Sequence, residues 1–118
     1  MTQKVFAYDD LIETLATDSN QVAILRFSSA TCVRCPPAKK TLEELEERFA
    51  FLHVYVDAHH EDSSELVELY EITSLPALVF IPQNDPKNAS KIEGALPDAI
   101  KEHVALHCPP KLQLDADF

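Results

Sequence analysis

Cys32 and Cys35 stand three residues apart with Val33 and Arg34 between them, a spacing at which two thiols can become one disulfide. At a helix start, residues i and i+3 have Cα atoms roughly 5 Å apart, inside the range a disulfide spans. Unpaired N–H groups and the positive dipole end of such a helix favour a thiolate on the first of the two. A pair placed there can cycle between dithiol and disulfide with little backbone movement. The same spacing also forms half of a zinc site, which needs a second ligand pair. The remaining donors are Cys108 and the histidines at 53, 59, 60, 103 and 107. His107 and Cys108 are adjacent, and neighbouring side chains converge poorly on one ion. The dithiol reading is preferred, and no metal site is expected.

The flanking residues must present that pair. Residues 22–27 form an apolar, partly β-branched run of strand length, and residues 28–31 are a small polar link. Pro36 and Pro37 are tolerated only in a first helical turn, so a helix starts close to the cysteines. From Ala38 the apolar positions 38, 42, 45 and 49 recur at helical spacing, with Glu43, Glu44, Glu46, Glu47 and Arg48 between them. That pattern predicts an amphipathic helix with a charged outer face.

Upstream, residues 4–8 read as a short strand. Asp9 or Asp10 caps a helix with Leu11, Ile12, Leu15 and Ala16 on one face, Asp10 and Glu13 fitting a capping box. The polar run 18–20 ends it. Downstream, residues 51–57 are strand-like, and His59 and His60 lie on a polar, solvated loop. Residues 64–72 form a short helix, with Asp62 and Glu65 as its capping box. Residues 77–81 form a continuous apolar run, as in a strand buried on both faces. Residues 82–90 are turn-rich and join it to residues 91–93 as a hairpin. Pro97 opens a last helix lined by Ile100, Val104 and His107, and Cys108, Pro109 and Pro110 stop it.

The order is βαβαβαββα, which predicts a three-layer α/β domain with a central mixed sheet flanked by helices. One domain spans residues 1–118, with 109–118 as a loose tail. That length suffices for a single core without staples.

A net charge of −10 argues against nucleic-acid or anionic-membrane partners, since phosphate binding needs a basic surface. One glycine among 118 residues leaves no glycine-rich phosphate loop. No basic segment with a long apolar core opens the chain, and no apolar run approaches the ~20 residues that cross a bilayer. A cytoplasmic setting is expected, where a Cys-x-x-Cys is more often catalytic than structural. If Cys32 and Cys35 pair, Cys108 is left over as a half-buried or tail thiol.

With Cys32-x-x-Cys35 at a strand-to-helix turn and Thr73-Ser74-Leu75-Pro76 before a late apolar strand, the chain resembles the thioredoxin superfamily. Phe27, Asp57, the strand 77–81 and Gly94 fall in the same family order. The resemblance implies a cis bond before Pro76, with that proline facing the disulfide. It also implies that the Leu75 backbone pairs with an extended substrate segment. Three positions depart from the family pattern. Thr31 stands where the family has tryptophan, and Val33-Arg34 replace its Gly-Pro. Arg26 stands where thioredoxins carry a buried aspartate held to take a proton from the second cysteine. An arginine cannot act as a base near neutral pH.

The resemblance implies roles. Cys32 is the nucleophile and Cys35 the resolving thiol. By charge alone, and not by the resemblance, Arg34 and Arg26 are expected to lower the Cys32 pKa, unless Arg26 is tied to a carboxylate of the acidic helix such as Glu47. Thr31, Val33, Leu75 and Pro76 form the substrate face. Two functions follow: a thiol-disulfide oxidoreductase acting on protein disulfides, or a thioredoxin-like binding module with little redox turnover. Neither needs a cofactor. The partners expected are protein thiols and disulfides and an unidentified electron donor, with the chain itself a monomer.

Overall fold

The computed structural model describes residues 2–17, 22–82, 85, 87–94 and 97–110. In chain order these form β1 (Thr2–Val5), α1 (Tyr8–Thr17), β2 (Val22–Ser28), α2 (Cys35–Leu45) and β3 (Leu52–Asp57). A 3-10 turn, Glu61–Ser63, leads into α3 (Ser64–Leu69), and β4 (Ala77–Pro82), β5 (Ser90–Glu93) and α4 (Pro97–His107) follow. The expected order is the observed one.

The five strands lie in the order β1-β3-β2-β4-β5. β3 runs parallel to both β1 and β2, whereas β4 is antiparallel to β2 and β5. Side chains alternate between the two faces of a strand, so register decides which helices each residue meets. One face carries Ala23, Leu25, Phe27, Val54, Val56, Val79 and Ile81, packed with Leu11 and Leu15 of α1 and Leu66 of α3. The other carries Val22, Ile24, Leu78 and Phe80 against Ala38 and Leu42 of α2 and Ile100 and Val104 of α4. β2 is buried along its whole length, Arg26 included. A transverse row of paired residues, Lys4, Tyr55, Arg26 and Leu78, crosses four strands.

Local signals differ from expectation at several ends. α1 begins at Tyr8, so Asp10 lies inside it and reaches back. Its Oδ2 accepts from Ala7 N at 3.2 Å and Phe6 N at 3.4 Å, satisfying donors that a helix start leaves open. Ile12 and Ala16, expected on the inner face, are exposed. Glu65 Oε1 accepts from Tyr8 N at 3.2 Å, linking α3 to α1, and among the described residues it caps no turn of its own helix. His60 keeps its side chain 40% exposed on the loop, as expected, and also accepts from Asp62 N at 3.1 Å through Nδ1 and packs its ring against Phe6.

α3 stops three residues early because Glu71 takes a positive φ of 53°. The Ile72 N–H then returns to the Val67 carbonyl, closing the helix end. Gly94 also has positive φ, 59°, and its N–H bonds the Pro76 carbonyl at 2.7 Å. Pro109 and Pro110 are not loose: the Pro109 carbonyl accepts from Ala50 N at 2.8 Å, and Pro110 bridges Phe49. The expected helix end at 18–20 and the tail at 111–118 fall outside the described residues.

Candidate active site

The chain leaves the sheet at Ser28 and enters α2 at Cys35, so the dithiol occupies the crossover itself. A turn closes from Cys32 N to the Ser29 carbonyl at 3.3 Å, and a second from Cys35 N to the Cys32 carbonyl at 3.4 Å. These two turns bring the Cα atoms to 5.4 Å, and the sulfurs are bonded. Pro36 and Pro37 follow in the first turn of α2, where a missing N–H costs nothing. Thr41 Oγ1 donates to the Pro37 carbonyl at 2.9 Å and takes up an acceptor inside that helix. The two cysteines are unlike: Cys32 is half-buried, whereas Cys35 is 3% exposed.

The expected flanking residues divide into two groups. Thr31, Val33 and Arg34 are exposed at the rim, Val33 at 88%. Arg34 occupies the N-cap position of α2, where its side chain makes no capping bond. It makes no ion pair among the described residues. The bond between Leu75 and Pro76 is cis, as expected. Antiparallel pairing of Phe27 with Ala77 puts Pro76 one step beyond the pair, alongside the end of β2 that leads to the cysteines. Leu75 is half-buried and packs against the α1/α3 core.

Behind the sulfurs lies a cleft of about 670 Å³ that Cys32, Cys35 and Arg26 all line. Lys4, Lys39, Glu43 and Tyr55 border it as well. Arg26, 5% exposed, is held from two sides. Its Cζ sits 4.8 Å from the centre of the Tyr55 ring, whose partner across the strands, Lys4, has its Nζ at 5.7 Å. Its Nε–H donates to His53 Nε2 at 3.0 Å.

That bond fixes the imidazole. With Nε2 accepting, the proton of the neutral ring sits on Nδ1, 2.9 Å from Glu46 Oε1, and donates there. Burial first, and the Arg26 charge second, push the His53 pKa below its ordinary 6.5, against the pull of Glu46. A neutral histidine therefore bridges a guanidinium and a carboxylate. Burial also lowers Arg26 from 12.5, opposed by Tyr55, Glu43 and Glu46, but leaves it a cation near neutral pH. The carboxylate that answers Arg26 through the imidazole is thus Glu46, and Glu47, the expected candidate, is exposed.

Sequence reasoning did not place His53, Tyr55, Glu46 or Glu43 at the site. A signal existed in residues 51–57, where Leu52, Val54 and Val56 alternate with His53, Tyr55 and Asp57. Period-two alternation puts the second set on one face. Only the register of β3 against β2 shows that this is the face of Arg26.

Cys108 is buried at 5%, and burial pushes its thiol up to about 12. It lies in the α2/α4 core and not at the dithiol. Among the described residues no group of three or more His, Cys, Asp or Glu side chains gathers as metal ligands.

Comparison with known proteins agrees with this geometry. A thioredoxin from Plasmodium falciparum superposes with a TM-score of 0.78 over 93% of this chain and 89% of that one, at 18% identity. The reduced Schistosoma mansoni thioredoxin pre-protein gives a TM-score of 0.75 over 90% of this chain and 97% of that one, at 19% identity. Thioredoxin H5 of Oryza sativa subsp. japonica is 25% identical over 108 residues, 92% of this chain and 77% of the rice protein. The Thioredoxin family model matches residues 3–106, and the chain belongs to the thioredoxin family.

Proposed function

We propose that this protein is a thiol-disulfide oxidoreductase that exchanges electrons between Cys32/Cys35 and protein disulfides. The observation that carries the reading is the asymmetry of the pair at the start of α2, with one sulfur-bearing residue reachable and the other covered. In the reduced protein the Cys32 thiolate attacks a target disulfide, forms a mixed disulfide and expels one target thiolate. Cys35 then attacks the Cys32 sulfur, which releases the second target thiol and leaves the protein oxidised. Arg26 is a cation and cannot accept the Cys35 proton, which leaves instead through the cleft to solvent. Its field, offset in part by Glu46 beyond His53, adds to the helix start in favouring thiolate at Cys32, and exposed Arg34 adds less because water screens it.

Insulin reduction driven by dithiothreitol tests the reading. The protein should accelerate precipitation, Cys32→Ser should abolish the effect, and Cys35→Ser should accumulate a mixed disulfide visible as a mass adduct. An unaltered rate in Cys32→Ser would sink it. Thiolate absorbance should show the Cys32 pKa below the ordinary value of about 8.5 and rising in Arg26→Met.

We read the working form as a monomer in a reducing cytoplasm, supplied by a separate electron donor. Among the described residues no helix is long and apolar enough to cross a membrane. A second reading, partner recognition without turnover, draws support from the 88% exposure of Val33 at the dithiol rim. The insulin assay separates the two.

A further inference from the structure

We propose that the cleft behind the dithiol binds the carboxylate of a low-molecular-weight disulfide, with Arg26 as its anchor. The inference deepens the exchange reaction proposed above and rests on it. A guanidinium has five N–H donors. Arg26 uses Nε–H on His53, and among the described residues no protein acceptor takes its terminal NH2 groups. One face of the guanidinium lies over Tyr55, yet the residue, 5% exposed, still borders the cleft. His53 and Glu46 hold it in place. A fixed fork of this kind, opening on the cleft, matches a planar carboxylate.

Charge points the same way. The whole chain carries −10, but the cleft sets the cations Lys4, Arg26 and Lys39 against one carboxylate, Glu43. Its volume, about 670 Å³, suits a small molecule. Cys32 and Cys35 line the same cleft as Arg26, so an acid anchored on Arg26 brings a disulfide in its own chain to Cys32. The reaction balances without another reagent. Cys32 thiolate and the ligand disulfide give a mixed disulfide and one ligand thiolate, and Cys35 then closes the Cys32–Cys35 bond and frees the second thiol. The protein is oxidised by two electrons and the ligand is reduced by two.

The test uses reduced full-length protein in single turnover with three disulfides of similar length. These are 3,3′-dithiodipropionate (a dianion), bis(2-hydroxyethyl) disulfide (neutral) and cystamine (a dication). Each rate, read by quenched mass spectrometry, is divided by that of the same disulfide with free dithiothreitol. Against the overall negative charge of the protein, the dianion should be favoured over the neutral compound roughly tenfold. Arg26→Gln should bring the ratio near unity, and exposed Lys39→Gln should reduce it in part. A ratio near unity in the wild type, or an unchanged ratio in folded Arg26→Gln, overturns the proposal. So does a preference confined to peptide disulfides flanked by acidic residues, with the small acid at parity. Propionate titrated into the oxidised protein should move the Arg26 Nε resonance saturably, and no movement overturns the proposal even if Arg26→Gln fails to fold. Inertness toward all three disulfides would sink the exchange chemistry, while the propionate titration still decides the pocket.

Discussion

The two faces of the sheet are built from the same strands and do different work. The α1/α3 face is closed by aliphatic and aromatic side chains from every layer, Phe27, Leu25, Val54 and Leu66 all at 0% exposure. The α2/α4 face is apolar against Ala38 and Leu42 of α2 and against α4, but Arg26, His53 and Tyr55 interrupt it, and Arg26 and Tyr55 line the cleft with the cysteines. Burial of apolar surface is non-directional and adds up over area, so the first face can be filled by any well-packed set. The polar end of the second depends on geometry, because a buried charge is tolerated only with its partners in place. Arg26 and Phe27 are adjacent in sequence and point to opposite faces. One strand thus supplies an anchor for the fold and a charge for the site.

Substitutions should expose that division, the largest effect coming from the apolar face. Phe27→Ala should lower stability by about 3–5 kcal/mol through lost burial and a residual cavity, read as a fall in urea midpoint. An effect below about 1 kcal/mol would mean that this face is looser than its packing indicates.

On the polar face, His53→Leu should cost about 3 kcal/mol, because it strips a buried guanidinium of its acceptor. Adding Arg26→Met should restore part of that loss, since the uncompensated charge goes with it. Strict additivity in this double-mutant cycle would show that the Arg26–His53 bond contributes nothing.

The pH dependence sharpens the contrast further. His53 has its folded pKa below the ordinary 6.5, so the unfolded chain binds more protons between those two values. Its stabilising contribution is therefore fully present above pH 6.5 and is lost as pH falls toward the folded pKa, at no more than about 1.4 kcal/mol per pH unit. His107, lowered by burial and by His103, has the same sign. Unfolding at pH 7.5 and 5.5 should show the loss, and His53→Leu should reduce it.

The smallest effect belongs to the leftover thiol. With its pKa at about 12, Cys108 should stay unmodified by iodoacetamide at pH 8 in the folded protein, while reduced Cys32 is alkylated. Labelling of Cys108 at a comparable rate would place it outside the core.

Much of the architecture was legible because its signals are local. Residues 77–81 read as a strand buried on both faces, and β4 has that burial. The prolines after Cys35 marked the start of α2 through a backbone restriction that needs no tertiary partner. Caps were less legible. Asp10 and Glu65 are both acceptors near helix starts, but which donor each takes depends on where the neighbouring element lies, and Glu65 bonds Tyr8 across 57 positions.

By itself the sequence determined the dithiol: spacing, flanking strand and following prolines all act within a few residues, so 17 consecutive positions carry them. It also determined that Arg26 sits within a strand. What that arginine does was decided only by the packed sheet. Pairing β2 with β3 set Arg26 opposite Tyr55 and within reach of His53, and the end of α2 brought Glu46 to the far side of that imidazole. Hydrogen bonds between groups 27 and 7 positions apart have no sequence period, because they are fixed by strand register and helix placement.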